Sequence, residues 1–292
     1  MHDRLERVPT DDDDHLTIAR MGSARPGVPH LLIVHGLEAT LSSNYAHGLL
    51  HQAQRRGWSG DFLLFRSCDG ALNSARRLYH SGETQDLDFV VRRLHREAPE
   101  SPLLICGVSL GGNVLLKWLG ELGDSARSLV SRAAAVSVPF DLAAGSRHLE
   151  RGFSRLYARH FLATLKAKAL AKARQHPGTV DLKRAIAAKT FWEFDDGVTA
   201  PLHGFADAAD YYSRSSSISF LDRVRVSTLL FSALDDPIVP QAVNESVLRA
   251  HRHSPVLTCD FTARGGHVGW VEGTPWSPRF YMEERVVEFL AN

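Results

Sequence analysis

A mostly parallel, doubly wound α/β sheet interrupted by one helical insertion is the architecture this sequence predicts, and three observations predict it. Short, near-continuous apolar runs bounded by turn residues recur along the chain. Stretches with helical apolar periodicity lie between them. The alternation stops after Pro139 and resumes with the apolar run at Ser227. Runs without polar alternation belong to strands covered on both faces, and strand-helix alternation supplies the covering helices.

Taken in order, residues 5–10 and 15–21 read as two strands joined by Asp11, Asp12, Asp13 and Asp14, whose like charges favour a solvated turn. Strands follow at 30–34, 62–65, 103–108 and 133–136, with helices expected over 44–56, 85–97 and 112–122. In the second of these helices Leu87, Val90, Val91 and Leu94 share one face. Residues 141–218 are helix-like, broken at Pro177-Gly178 and Pro201, and enter after the sixth strand. Strand 227–231, helix 241–252, strand 256–261 and a closing helix from Pro278 to about Leu290 complete the chain. The expected division is a core of residues 1–140 and 219–292 carrying a helical cap at 141–218.

The 292 residues are 44% hydrophobic and 23% charged, the balance of a globular chain able to bury a core. Thirty-four Lys and Arg face thirty-three Asp and Glu, so no global field points to nucleic acid. Cys68, Cys106 and Cys259 are odd in number and widely spaced, which fits buried thiols in a reducing compartment. No run approaches a membrane span and no leader pattern opens the chain, so the expectation is a cytoplasmic protein. Fifteen histidines lack ligand-type spacing, and no metal or organic cofactor is expected.

Gly107-Val108-Ser109-Leu110-Gly111 has the form G-x-S-x-G and joins an apolar run to a predicted helix. The bare pattern recurs by chance, and an N-cap serine is its plain structural alternative; the strand-turn-helix setting gives it chemical meaning. Such a turn forces its central residue into a sparsely allowed conformation, and flanking glycines remove the resulting collisions. Ser109 is therefore the expected nucleophile. A serine hydroxyl needs an imidazole to take its proton and a carboxylate to hold that imidazole.

Asp235 and Asp236 follow the strand at 227–231, in a loop at the carboxyl end of the sheet. Asp236 is the expected triad member; Asp235 is the competing assignment, with the other aspartate shaping the turn before Pro237. His267, in the glycine-rich loop Arg264-Gly265-Gly266-His267, is the expected general base. His251 and His253 compete from a helix end, but the loop setting and the order Ser, Asp, His favour His267. A tetrahedral intermediate also needs two backbone N–H donors. Leu110 offers one, directly after the nucleophile, and Leu37 the other, beyond the His35-Gly36 turn.

These residues resemble the YheT-like branch of the α/β-hydrolases, related to abhydrolase-domain lipases and esterases. The resemblance covers nearly the whole chain. Besides His35 to Glu38 and Gly107 to Asn113, it rests on Arg66-Ser67-Cys68-Asp69-Gly70, on Tyr79 to Asp86, on Phe194-Asp195-Asp196-Gly197 and the residues following to Pro201, and on Ala233 to Pro237. Ser67 and Asp69 depart from the family's usual Arg-Gly-Cys-Ser-Gly. The resemblance implies an α/β-hydrolase fold and hydrolysis of carboxylic esters, often of short to medium acyl length, with transfer to an alcohol in some relatives. Arg66, at a strand end, is open to substrate contact or to shaping its loop.

Between Asp141 and Thr190 eleven Lys and Arg face three Asp and Glu. Arg151, Arg155 and Arg159 recur at i, i+4 spacing among Phe153, Leu156, Phe161, Leu162 and Leu165. A solvated face is the ordinary meaning of such a run; the sharper one is a lid that meets anionic lipid or a phosphate-bearing acyl donor. The expected function is a serine hydrolase that cleaves small-molecule acyl esters through an acyl-enzyme. Acyl transfer to an alcohol and thioester or amide cleavage use the same triad, and a catalytically idle binding protein is the rival outside the enzyme class.

Overall fold

The computed structural model describes residues 2–274 and 276–292. One eight-stranded sheet runs in the order β1-β2-β4-β3-β5-β6-β7-β8. Its strands are β1 Arg4–Thr10, β2 Asp14–Met21, β3 His30–Val34, β4 Ser59–Leu64, β5 Leu103–Val108, β6 Arg132–Val136, β7 Thr228–Ala233 and β8 Leu257–Thr262. The β1-β2 and β2-β4 pairs are antiparallel, and every pair from β4 across to β8 is parallel. Every residue of β3, β4, β5 and β7 is buried, as strands covered on both faces require, including Asp61 of β4, which lies against Arg20.

The helices are α1 Asn44–Arg55, α2 Gln85–Glu97 and α3 Leu110–Leu122 before β6. Between β6 and β7 come α4 Leu142–His148, α5 Ser154–Gln175, α6 Leu182–Ala187, α7 Phe191–Phe194, α8 Ala200–Leu202 and α9 Ala208–Ser215. After β7 come α10 Gln241–His251 and α11 Tyr281–Ala291. Helix α2 buries Leu87, Val90, Val91 and Leu94, the face its periodicity marks. Helix α5 turns Ala158, Leu162, Ala169, Lys172 and Ala173 inward at helical spacing. Among the described residues no helix is long and apolar enough to cross a membrane.

Two local expectations need correction. The closing helix begins at Tyr281, not Pro278, because residues 277–280 pair as β10 Ser277–Phe280 with β9 Val271–Thr274. Proline is tolerated at the edge of such a two-stranded ribbon. The acidic turn is also less solvated than its charges suggest: Asp14 is buried at the start of β2. Fully buried Arg66 donates to both Asp86 oxygens at 2.8 Å and to Asp14 at 2.6 Å. Burial pushes the Asp14 carboxyl up, but donors from Asn73, Ser74 and Arg66 outweigh it and hold the group far below the usual carboxylate range. Of the two roles open to Arg66, these partners make it a buried tie between the acidic turn and α2.

Candidate active site

Strand β5 delivers Ser109 at the sheet's carboxyl edge, and α3 starts immediately behind it. Ser109 has φ 54° and ψ −120°, a conformation that side chains rarely adopt. It persists because the surroundings fix it. The Ser109 amide donates to the Val136 carbonyl at 2.7 Å, and the Asn113 amide donates to the Ser109 carbonyl at 3.1 Å. A Cβ at position 107 would lie 2.5 Å from the Gly111 carbonyl oxygen, and one at 111 would lie 2.5 Å from the His35 carbonyl oxygen. Both glycines are therefore required by contact with backbone.

The Ser109 hydroxyl lies 2.9 Å from His267 Nε2, and His267 Nδ1 lies 2.8 Å from Asp236 Oδ2. An Nδ1–H donating to the carboxylate leaves Nε2 to accept the serine proton, the tautomer a general base needs. The second Asp236 oxygen accepts the amides of Ile238 at 2.7 Å and Val239 at 3.2 Å. Asp235 acts elsewhere, since its Oδ1 accepts the amides of Gly265 and Gly266, both at 2.9 Å, and so fixes the loop that carries His267. Ser137, at φ 51°, donates its hydroxyl to the His267 carbonyl from the loop after β6. The rival His251 stands 3.8 Å from Asp222 at the end of α10.

The Leu37 and Leu110 amides have no hydrogen-bond partner among the described residues, and both residues line the cavity at Ser109. Fully buried His35 orients the first of them. The Phe65 amide donates to His35 Nε2 at 3.0 Å, so Nδ1 carries the proton and donates to the Gly36 carbonyl at 2.6 Å. Fixing that carbonyl turns the N–H of Leu37, across the same peptide, the opposite way. Burial draws His35 down to about 4, which keeps the ring neutral at pH 7.

A family described as having the alpha/beta hydrolase fold matches residues 29–267, from before β3 to the histidine. This chain belongs to the α/β-hydrolase family. It is 42% identical over 264 residues to YheT of Escherichia coli (strain K12), an esterase by provisional name, covering 90% of this chain and 76% of that one. It is 29% identical over 263 residues to the mouse phospholipase ABHD3, covering 90% of this chain and 63% of the other. A monoacylglycerol lipase of Saccharomyces cerevisiae is 28% identical over 271 residues, 90% of this chain and 59% of that one. Among solved structures, the Pyrococcus furiosus esterase Pf2001 superposes with a TM-score of 0.62 at 16% identity over 99% of this chain and 89% of its own, a likeness of fold. The chain is a YheT-like α/β-hydrolase.

In this α/β-hydrolase the cavity at Ser109 has a volume of about 100 Å³. Its far side comes from the helices after β6, through Leu142, Leu149, Phe161, Phe191, Asp195 and Tyr212. Asp195 accepts from the Thr199 and Tyr212 hydroxyls, each at 2.6 Å, yet burial still raises its carboxyl to about 6. Nothing in the sequence marks Ser137 or Lys168 as neighbours of the site. Lys168 of α5 reaches Glu38 Oε1 at 2.8 Å, where the Tyr79 hydroxyl also donates at 2.7 Å. Glu38 and Tyr79 stand within motifs already singled out in the sequence, but a charge count cannot pair them with Lys168.

Proposed function

We propose that this α/β-hydrolase is a carboxylic ester hydrolase that works through an acyl-enzyme on Ser109. One observation carries the reading: the continuous Asp236-His267-Ser109 hydrogen-bond chain ends at Ser109, in a cavity that Leu37 and Leu110 also line. His267 Nε2 takes the hydroxyl proton as Oγ attacks the ester carbonyl, and Asp236 stabilises the imidazolium. The Leu37 and Leu110 amides donate to the oxyanion. His267 then returns the proton to the departing alcohol, and water repeats the sequence to release the acid. Gly36 leaves room beside the nucleophile, since a Cβ there would lie 3.1 Å from Ser109 Cβ.

The names of the relatives, an esterase, a phospholipase and a monoacylglycerol lipase, share acyl-ester chemistry and support this substrate class. A small, largely apolar cavity supports acyl groups of short to medium length. The helices between β6 and β7 act as the cap that forms its far wall.

Intact-mass analysis after fluorophosphonate treatment, followed by a p-nitrophenyl ester series, tests the mechanism. One adduct is expected, absent in Ser109→Ala, with kcat/KM falling at least about 1,000-fold in that variant. Added alcohol in the same assay separates hydrolysis from acyl transfer, and matched thioester and anilide substrates set the leaving group. A folded protein that takes no adduct and turns over no ester would be a binding protein on an idle hydrolase fold.

A further inference from the structure

A second cavity of about 590 Å³ opens beside the one at Ser109 and shares Ser146, Leu149 and Phe191 with it. Its rim is basic. Arg155, Arg159 and Lys166 line it from one face of α5, and Lys189 lines it from the segment before α7. Glu150 is the one carboxylate among the lining residues. None of these four cations makes an ion pair among the described residues. Among the described residues the Lys166 ammonium donates only to the Ile186 carbonyl, at 2.9 Å.

The rest of α5 shows that such isolation is not general to the helix. Lys168 is paired with Glu38, and Lys172 donates to the carbonyls of Asn73 and Ala75, both at 2.7 Å. Arg155, Arg159 and Lys189 are exposed, as solubilising cations are, but they gather on the rim of a concavity that shares part of its wall with the one at Ser109. Two guanidinium groups at i, i+4 spacing offer planar forks suited to the oxygens of a phosphate, and the ammonium groups add point charge. The apolar residues shared by the two cavities would carry the hydrocarbon between phosphate and ester.

Building on the ester-hydrolase reading, we propose that this cleft binds a phosphate group borne by the same molecule as the ester that Ser109 attacks. The substrate class is then a phosphate-bearing acyl ester, held at one end by Arg155, Arg159, Lys166 and Lys189.

The test compares two matched soluble esters, one neutral and one ending in a phosphate, on the intact protein and on Arg155→Gln/Arg159→Gln. The expected preference for the phosphorylated ester is at least about tenfold in kcat/KM, and its ratio to the neutral ester falls about tenfold in the double variant. The preference also shrinks as salt rises. Equal turnover of both esters by the intact protein, or a preference that survives in the variant, overturns the proposal. If neither ester turns over, the hydrolase reading has failed by itself; calorimetric titration of the phosphorylated ester then decides the cleft, with binding lost in the variant supporting it and no binding overturning it. Co-sedimentation with phosphatidylglycerol vesicles separates the sources of phosphate. Arginine-dependent vesicle binding without discrimination between the soluble esters would assign the cations to a lipid surface and overturn the soluble substrate.

Discussion

The two walls of the active-site cavity are built differently. On the sheet side, backbone conformation does the positioning: Ser109, Glu38 and Ser137 have φ values of 54°, 55° and 51°, each held by hydrogen bonds. On the helical side, among the described residues, no non-glycine residue from 141 to 218 has a positive φ. That wall consists of side chains, Leu142, Leu149, Phe161, Phe191 and Tyr212, with Asp195 as a buried polar member. The difference separates chemistry from fit. On the proposed mechanism, reaction geometry rests on strained backbone that tolerates little change, while substrate fit rests on side chains that can vary by degrees.

The hardest blow to the sheet wall is Gly111→Ala. The added methyl meets the carbonyl oxygens of Val34 and His35, which belong to β3 and to the turn leading to Leu37. Backbone inside a sheet cannot yield as a flexible side chain does, so the expected cost exceeds about 3 kcal/mol. Urea unfolding followed by circular dichroism measures it. A variant with native stability would show that the sheet wall is as adaptable as the helical one.

The walls also respond to pH with opposite sign. His35 on the sheet side is drawn down to about 4 by burial, so acidification from 6.5 towards 4 protonates the unfolded chain first and stability falls. Asp195 on the helical side is pushed up to about 6 by burial, so the native state binds its proton more tightly. That contribution is present below 3.8 and is lost as pH rises through 6, worth up to about 3 kcal/mol. In Asp195→Asn the compensation disappears. Relative to the parent, the variant is expected to lose up to about 3 kcal/mol between pH 7 and pH 4, read from urea midpoints at each pH. A constant difference would mean that Asp195 stays ionised across the range.

How far these walls are legible in sequence follows the same division. The strands and helices around the proposed nucleophile, the elbow and the histidine loop have local signatures, and glycine must stand where backbone meets backbone, as at Gly107 and Gly111. The choice between Asp235 and Asp236 has none: adjacent residues of one type diverge only when the fold gives one the His267 ring and the other two loop amides. Ser137 and Lys168 are equally silent, since each acts on a partner 130 positions away. The excess of cations between Asp141 and Thr190 is countable, yet only packing separates Lys168 and Lys172, tied to the core, from Arg155 and Arg159, which are not. The hairpin of β9 and β10 is hidden by Pro278, which reads as a helix start.

One contact crosses between the walls. Lys168, on α5, donates to Glu38 Oε1, and the Tyr79 hydroxyl donates to the same oxygen while accepting the Glu38 amide at 2.9 Å. Glu38 follows Leu37 directly, so this clamp fixes the chain one residue beyond the proposed oxyanion donor. Lys168→Met leaves a nearly buried carboxylate with its tyrosine donor but without its counter-ion. If the walls are coupled here, the Leu37 amide drifts, and kcat on a neutral short-chain ester falls about tenfold, or about 1.4 kcal/mol, while KM changes less than about twofold. Lys168→Arg, which keeps the charge, restores most of the rate. If the contact only secures the helix, Lys168→Met lowers the melting temperature and leaves kcat intact, and the two walls then act independently, chemistry on one and fit on the other.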